Sequence, residues 1–284
     1  MDIEWLECFA EVVKCKSLSK ASEHLNISQP AASKQIKKLE EELKVSLFQR
    51  TSSGMELTEA GVFFWERIQA VLSELRSIRH ELENFYEPKR IRLGTLPSLA
   101  TYYLPPRILN LRKTGIEVTI QVAHSSEEIL ECLKSGTVDA VLMEVGTVES
   151  FFWSLPVFSE PFYAILPKTH RLSQHHSICL EEIKDEPLVV YPPNCDVRQS
   201  ITRAYQERGF EAKIDSEVAF GESILSFVAV GVGITFVPQT IADRIGHLSL
   251  SAIAVTDFGH SRTIHLVARS ERIGKVLYRS FSLV

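Results

Sequence analysis

Residues 17–58 read SLSKASEHLNISQPAASKQIKKLEEELKVSLFQRTSSGMELT and leave the chain few choices of local fold. Ala21, Ser22 and Leu25 follow Ser19 in a short helical pattern, and Asn26-Ile27-Ser28 supplies turn and N-cap chemistry. Gln29 to Leu43 then reads as a longer helix. In it Ala32, Ile36, Leu39 and Leu43 recur at steps of four, three and four, which gathers them on one buried stripe. Gln29, Pro30, Ser33, Lys34, Lys37 and Lys38 are left to face outward. Pro30 falls in the first turn, where its missing N–H breaks no helix bond. After the helix, Val45, Leu47, Phe48 and Arg50, a Thr-Ser-Ser-Gly tip, and Met55-Glu56-Leu57 read as two short strands around a turn, a wing. A helical hairpin alone is equally well an amphipathic pair with a solvated outer face. The wing turns the reading toward a helix shaped for a major groove.

The residues that carry this pattern resemble a known signature. Phe9, Ala21, Leu25, Ser28-Gln29-Pro30-Ala31, Ser33, Ile36 and Leu39-Glu40, followed by Leu47-Phe48 with Arg50 and Leu57-Thr58 with Ala60-Gly61, are similar to the LysR-type transcriptional regulators over about the first sixty residues. The resemblance implies an α/β protein with an N-terminal winged helix-turn-helix domain over 1–58, a long linker helix over 59–88 and a two-lobed effector domain over 89–284. That domain would resemble type 2 periplasmic solute-binding proteins, with lobe 1 over about 89–160 and 265–284 and lobe 2 over about 161–264. It implies a regulator, not an enzyme, that binds double-stranded DNA and is modulated by a small molecule held between the lobes. A second copy in a homodimer or homotetramer is implied too, and RNA polymerase is a further candidate partner. We expect Gln29, Pro30, Ser33 and Lys34 to face base edges and Lys37, Lys38 and Arg50 to meet phosphates. Where such regulators usually carry a second basic residue in the wing, this chain has Ser53-Gly54, so wing contact is expected from Arg50 alone.

Charge supports this by distribution and not by total. Residues 1–60 hold eight Lys and Arg against ten Asp and Glu, a net −2, yet Lys34, Lys37, Lys38 and Arg50 cluster on the groove side. The 284 residues, 45% hydrophobic and 24% charged, suffice for two or three units of ordinary soluble composition. No stretch approaches a membrane span, and the start, MDIEWLECF, is acidic and helical in pattern, unlike a signal peptide, so a cytoplasmic protein is expected. The cysteines at 8, 15, 132, 179 and 195 show no metal spacing and are expected to be mostly small buried hydrophobes. We expect no metal and no cofactor.

Ile3 to Lys14 reads as a first helix with Leu6, Phe9, Ala10 and Val13 as its core stripe. After Thr58, the positions Phe64, Ile68, Val71, Leu75, Ile78, Leu82 and Phe85 alternate steps of four and three, the spacing of a coiled-coil seam, and Pro88 ends the run. The competing reading packs that stripe on the chain's own next domain. From Ile91 strands and helices alternate, which predicts parallel-sheet α/β units, enough of them for two lobes.

In such sheets ligands bind beyond the carboxyl ends of strands, where helix N-termini offer N–H groups and partial positive charge. Three corners fit: Leu96-Pro97-Ser98, His124-Ser125-Ser126, and Pro192 to Asp196 with Arg198. Each serine, and Asn194, is individually just as well a helix cap. Their convergence nominates Ser98, Ser125, Ser126, Asn194 and Arg198 as effector contacts for an anionic or zwitterionic molecule, with Phe220 as an apolar wall and Glu144 and Glu222 as added acceptors. No G-x-S-x-G, H-E-x-x-H or phosphate-loop spacing occurs, and Gly231-Val232-Gly233 ends a helix instead of opening one. The rival class is a solute-binding or catalytic α/β protein with an appended helical module. Steady turnover of a metabolite would favour it, and loss of promoter retention on removing residues 1–58 would exclude it.

Overall fold

The computed structural model describes residues 1–51, 54–83, 89–144, 152–219, 221 and 223–282, apart from the side chains of Arg50, Ser77, His80, Glu81, Glu83 and Ser282. The chain divides into two units, Met1–Glu83 and Asn84–Val284.

In the first unit each of three helices begins on a side-chain cap. Asp2 accepts from the Glu4 N–H ahead of α1 (Ile3–Cys15), Ser17 from Lys20 ahead of α2 (Leu18–His24), and Ser28 from Ala31 ahead of α3 (Gln29–Leu43). Each cap satisfies an N–H that a helix start leaves without a partner. Ala32, Ile36 and Leu39 of α3 are buried in one core with Leu6, Phe9, Ala10 and Val12 of α1. The Phe9 ring is central, 5.2 Å from Phe48 and 5.1 Å from Phe64. The wing is β1 (Phe48–Thr51) antiparallel to β2 (Gly54–Leu57), with Phe48 opposite Leu57 and Arg50 opposite Met55. Glu40 of α3 fixes where the wing starts, because its carboxylate accepts from the Leu47 and Phe48 N–H groups at 2.7 and 3.1 Å. Thr58 then starts α4 (Glu59–Glu83): its hydroxyl accepts from Gly61 N–H at 3.0 Å and donates to the Ser46 carbonyl at 2.7 Å. Gly61 tolerates no side chain there, since a Cβ would overlap the Leu47 carbonyl oxygen.

Helix α4 divides the expected seam. Phe64 packs on Phe9, and Ile68, 5% exposed, lies with Leu72 in the core of this same unit. The first turns of α4 must cover α1, so those two positions are core positions of one chain. Val71, Ile78 and Leu82 face outward at 49%, 45% and 63% exposure, Leu75 is half-buried, and Phe85 lies outside the described residues. The cysteine expectation is also corrected: Cys8 is fully buried, but Cys15, Cys132, Cys179 and Cys195 are each half-buried and unpaired.

The second unit runs β3 (Arg90–Thr95), a π-helical turn (Leu99–Tyr103) into α5 (Leu104–Lys113), β4 (Glu117–Val122), α6 (Ser126–Lys134), β5 (Ala140–Glu144) and β6 (Trp153–Glu160). It continues with β7 (Phe162–Pro167), β8 (Ser177–Ile178), β9 (Leu188–Val190), α7 (Asp196–Gln206), β10 (Ile214–Glu217), α8 (Ser223–Ala229) and β11 (Thr235–Pro238). The last elements are α9 (Gln239–Ala242), β12 (Leu250–Val255), β13 (Arg262–Ala268) and α10 (Glu271–Ser282). The π-helical turn follows from Pro105 and Pro106, which cannot donate to the preceding turn; the Leu104 N–H reaches back five residues to Leu99.

Strand pairing separates two lobes. One sheet has the order β4-β3-β5-β13-β6 and the other β11-β7-β12-β8, with β9 and β10 paired beside the second. Neither is the purely parallel sheet that the alternation suggested. In the first, β3, β4 and β5 are parallel but β13 runs antiparallel to β5 and β6, because it re-enters from the far side after the whole second lobe has been made. In the second, β7 lies antiparallel to both β11 and β12. Buried apolar residues form one core in the second lobe, centred on Ile165, Val189, Ile201 and Phe236, and a separate core on each face of the first sheet. The backbone crosses between lobes after Glu160 and before Arg262, and those two residues are paired across β6 and β13. Among the described residues no helix is long and apolar enough to cross a membrane.

Candidate functional site

The first unit presents one polar helix face. Gln29, Pro30, Ser33, Lys34, Lys37 and Lys38 are all exposed on α3, opposite its buried stripe. Lys37 pairs with Glu41 at 3.5 Å, and the Lys38 ammonium lies 5.2 Å above the Trp5 ring, which leans it toward α1. The Arg50 backbone sits in β1, and its side chain lies outside the described residues.

In the second unit a cavity of about 380 Å³ opens between the lobes. The first lobe lines it with Leu96, Pro97, Ser98, Thr101, Tyr102, His124 and Arg262; the second with Tyr191, Pro192, Asn194, Cys195, Asp196, Val197, Ala219, Gly221 and Ile241. Of the expected effector residues, Ser98 and Asn194 reach this wall. Ser125, Ser126, Glu144 and Arg198 are not among its lining residues, and Phe220 and Glu222 lie outside the described residues. Ser125 is occupied as the α6 N-cap, accepting from Glu128 N–H at 3.1 Å. One Arg198 Nη atom is buried without a hydrogen bond, and burial lowers the pKa of that guanidinium.

Two polar clusters frame the cavity. At the hinge, Arg262 is only 1% exposed and donates from Nη1 to Ser98 Oγ at 3.1 Å and to Glu160 Oε1 at 3.4 Å, while its Nε stands 3.7 Å from Glu144 Oε2. The other oxygen of Glu160 accepts from the Thr240 N–H and hydroxyl at 2.7 and 2.6 Å. Ser98 therefore accepts from a guanidinium, and its own hydroxyl proton is left to donate to an acceptor in the cavity. The second cluster is a clasp across the cleft. Asp196, the first residue of α7, takes the Ser126 N–H at 2.9 Å and the Ser126 hydroxyl at 2.7 Å, and Ser126 Oγ in turn accepts from the Glu144 N–H at 3.1 Å. A side-chain carboxylate thus occupies the anion position at the α6 N-terminus.

Burial pushes Glu144 up to about 7, with Arg262 pulling it the other way, and burial also raises Asp196 against the lowering effect of the Ser126 bonds. Sequence reasoning missed Arg262 and Glu160 and named Asp196 only as part of a corner. An arginine ahead of an apolar strand reads as a solvated flank; its role shows only once β6 and β13 are known to be the two lobe crossings.

A winged helix-turn-helix unit joined to a two-lobed α/β unit with a cleft defines a ligand-binding regulator of DNA. Residues 3–62 match the model for the bacterial regulatory helix-turn-helix protein, lysR family, and residues 87–281 match the LysR substrate binding domain. The chain belongs to the LysR family of DNA-binding transcriptional regulators, with a substrate-binding domain for its effector. It is 28% identical over 95% of its length to the RuBisCO operon transcriptional regulator of Allochromatium vinosum, covering 90% of that protein. It is 30% identical over 90% of its length to the HTH-type transcriptional regulator YwbI of Bacillus subtilis, covering 86% of it. Among solved structures, full-length BenM shares 26% identity with a TM-score of 0.60, over 99% of this chain and 95% of that one. A full-length OxyR variant from Pseudomonas aeruginosa shares the fold at 24% identity with a TM-score of 0.73, over 100% and 95% of the two chains. Both named sequence relatives are transcriptional regulators.

Glu144 gives this site a pH signature. Its folded-state value near 7 lies above the ordinary 4.5, so the folded chain retains a proton that the unfolded chain has released. Its contribution is therefore full below the ordinary value and is lost as pH rises toward 7, on the order of 3 kcal/mol for the whole shift. Glu144→Gln should flatten this fall, so urea unfolding at pH 5 and 8 should show the variant gaining on the parent; parallel pH profiles would remove Glu144 from the account.

Proposed function

We propose that the interlobe cavity is the effector site and that the ligand is a small anionic or zwitterionic molecule. The Ser98 hydroxyl carries this reading: held by Arg262 through its oxygen, it is oriented to donate, and a carboxylate oxygen is the acceptor it suits best. The mostly apolar remainder of the wall, including Leu96, Tyr191, Val197 and Ile241, suits a compact carbon skeleton, and the size falls at the lower end of small-molecule sites. Asp196 on the opposite wall favours an ammonium group, which makes an amino acid or a similar zwitterion the better fit. A ligand shifts an equilibrium only by binding one state better, and one that touches both Ser98 and Asp196 binds best at a single lobe spacing. With a carboxylate or amino acid ligand found by thermal shift, Ser98→Ala should bind about tenfold more weakly, the loss of one hydrogen bond to a charged group. Operator affinity without ligand should not change. Full retention of ligand affinity would move the site elsewhere.

On DNA, we assign base-edge contact to Gln29, Pro30, Ser33 and Lys34, phosphate contact to Lys37, Lys38 and Arg50, and the domain limits to 1–58, 59–88 and 89–284. The support is the exposed polar face of α3. Lys37→Ala should weaken binding to specific and random DNA alike and reduce the salt dependence by about one ion. Ser33→Ala should weaken specific binding alone; equal losses on both DNAs would reverse the assignment. The exposed apolar residues Val71, Ile78 and Leu82 favour pairing with a second copy in a cytoplasmic homo-oligomer. Ile78→Asp should then sediment as a monomer at micromolar concentration, whereas an intact oligomer would place the interface off α4.

A further inference from the structure

The helix-turn-helix unit carries a second cluster that nothing above uses. Glu11 and Cys15 stand one turn apart at the end of α1, and His24 is the last residue of α2. Three potential ligand atoms converge there: Cys15 Sγ lies 3.6 Å from Glu11 Oε1 and 3.6 Å from His24 Nδ1, and His24 Nδ1 lies 2.8 Å from Glu11 Oε1. In a tetrahedral zinc site, Zn–S of about 2.3 Å with Zn–N and Zn–O of about 2.0–2.2 Å puts neighbouring donors about 3.3–3.6 Å apart. The two sulfur separations already have this spacing. The third is a hydrogen bond, and it opens when the proton it shares leaves.

We propose that Glu11, Cys15 and His24 bind a transition-metal dication, with Zn²⁺ the best match to one sulfur, one nitrogen and one oxygen donor. Magnesium and calcium are disfavoured because they take oxygen ligands, whereas a thiolate and an imidazole select borderline and soft ions. The His24 side chain is 61% exposed against 19% for Glu11, so the fourth position faces solvent and takes a water. On binding, the metal forms bonds to Sγ, Nδ1 and Oε1. The Cys15 thiol proton is released to solvent, and the neutral His24 ring gives up its Nδ1 proton and takes one on Nε2 from solvent, so the net release is one proton. No electron is transferred. In the metal-free unit Glu11 is the shared hydrogen-bond acceptor of this cluster, and its bond to His24 holds its carboxyl below the ordinary range.

The position gives the metal something to act on. Cys15 is followed by Lys16, a left-handed residue at φ 49° whose carbonyl accepts from the Met55 N–H of the wing at 3.0 Å. A metal bridging Cys15 and His24 ties the ends of α1 and α2 together beside that wing contact, so occupancy stiffens the junction between the helical hairpin and the wing. Sequence spacing did not reveal the site, because an i,i+4 pair on one helix is completed by a histidine from the next and no short motif results.

The test is titration of the full-length protein with Co²⁺ as a spectroscopic stand-in, followed by competition with Zn²⁺. The proposal expects a near-ultraviolet thiolate-to-cobalt band and the intense visible bands of four-coordinate cobalt, both abolished by Zn²⁺. Cys15→Ser should remove the thiolate band, His24→Ala should weaken affinity roughly a hundredfold or more, and Cys132→Ser should change neither. These positions are half-buried or exposed, so the variants should fold, and unchanged circular dichroism would establish it. Persistence of the thiolate band in Cys15→Ser, or only the weak bands of six-coordinate cobalt in the parent, would overturn the assignment.

Discussion

The second unit depends on one buried charge. Arg262 opens β13 where the backbone returns from the second lobe, and Glu160 closes β6 where the backbone leaves for it, so their ion pair spans the two hinge strands at the base of the cleft. A cation this deep is tolerable only with partners, and Arg262 has a carboxylate, a serine hydroxyl and a second carboxylate around it. Deleting it would strand Glu160, 4% exposed, at a cost of about 3–5 kcal/mol. The same guanidinium orients Ser98, so the hinge and the ligand wall share one group. A change of lobe angle therefore alters the hydrogen bonding that a ligand meets.

Joined to the hinge cluster through Glu144, the Ser126–Asp196 clasp ties one lobe to the other. It satisfies the start of α6 with a carboxylate from the other lobe, a role that an incoming anion could also fill. Three carboxylates, Glu144, Glu160 and Asp196, surround one arginine, and burial raises two of them above their ordinary values. The cluster is therefore sensitive both to protons and to a ligand that adds or neutralises charge.

Local features were legible in the sequence wherever a rule acts over a few residues. The cap at Ser28, the stripe of Ala32, Ile36 and Leu39 and the Leu47–Leu57 wing follow from spacing and cap chemistry, whereas the Ser17 cap of α2 was passed over for Ser19. Features that arise from distant pairing were not legible. The parallel-sheet expectation failed because nothing local to Arg262–Ala268 says that this strand enters an older sheet in the reverse direction. At Phe64 and Ile68 the expected seam packs into the unit's own core, because a three-four repeat does not distinguish a partner chain from the chain's own α1. Ser125 and Ser126 stand at the start of α6: Ser125 takes the local cap role left open by the sequence, while the Ser126 hydroxyl donates to Asp196, which only tertiary contact reveals.

The clasp and the hinge pair together join the two lobes, and their effect on lobe spacing is measurable. It is tested most directly by pulsed electron spin resonance on the full-length protein, with spin labels on unnatural side chains at the exposed positions Lys113 and Glu211, one in each lobe, so that the native cysteines are left untouched. If the clasp and the hinge pair set the spacing, the parent gives one narrow distance distribution and Asp196→Asn a broader one shifted to longer distance, with Ser126→Ala behaving the same way and the double variant adding little. Identical distributions in parent and variants would contradict it.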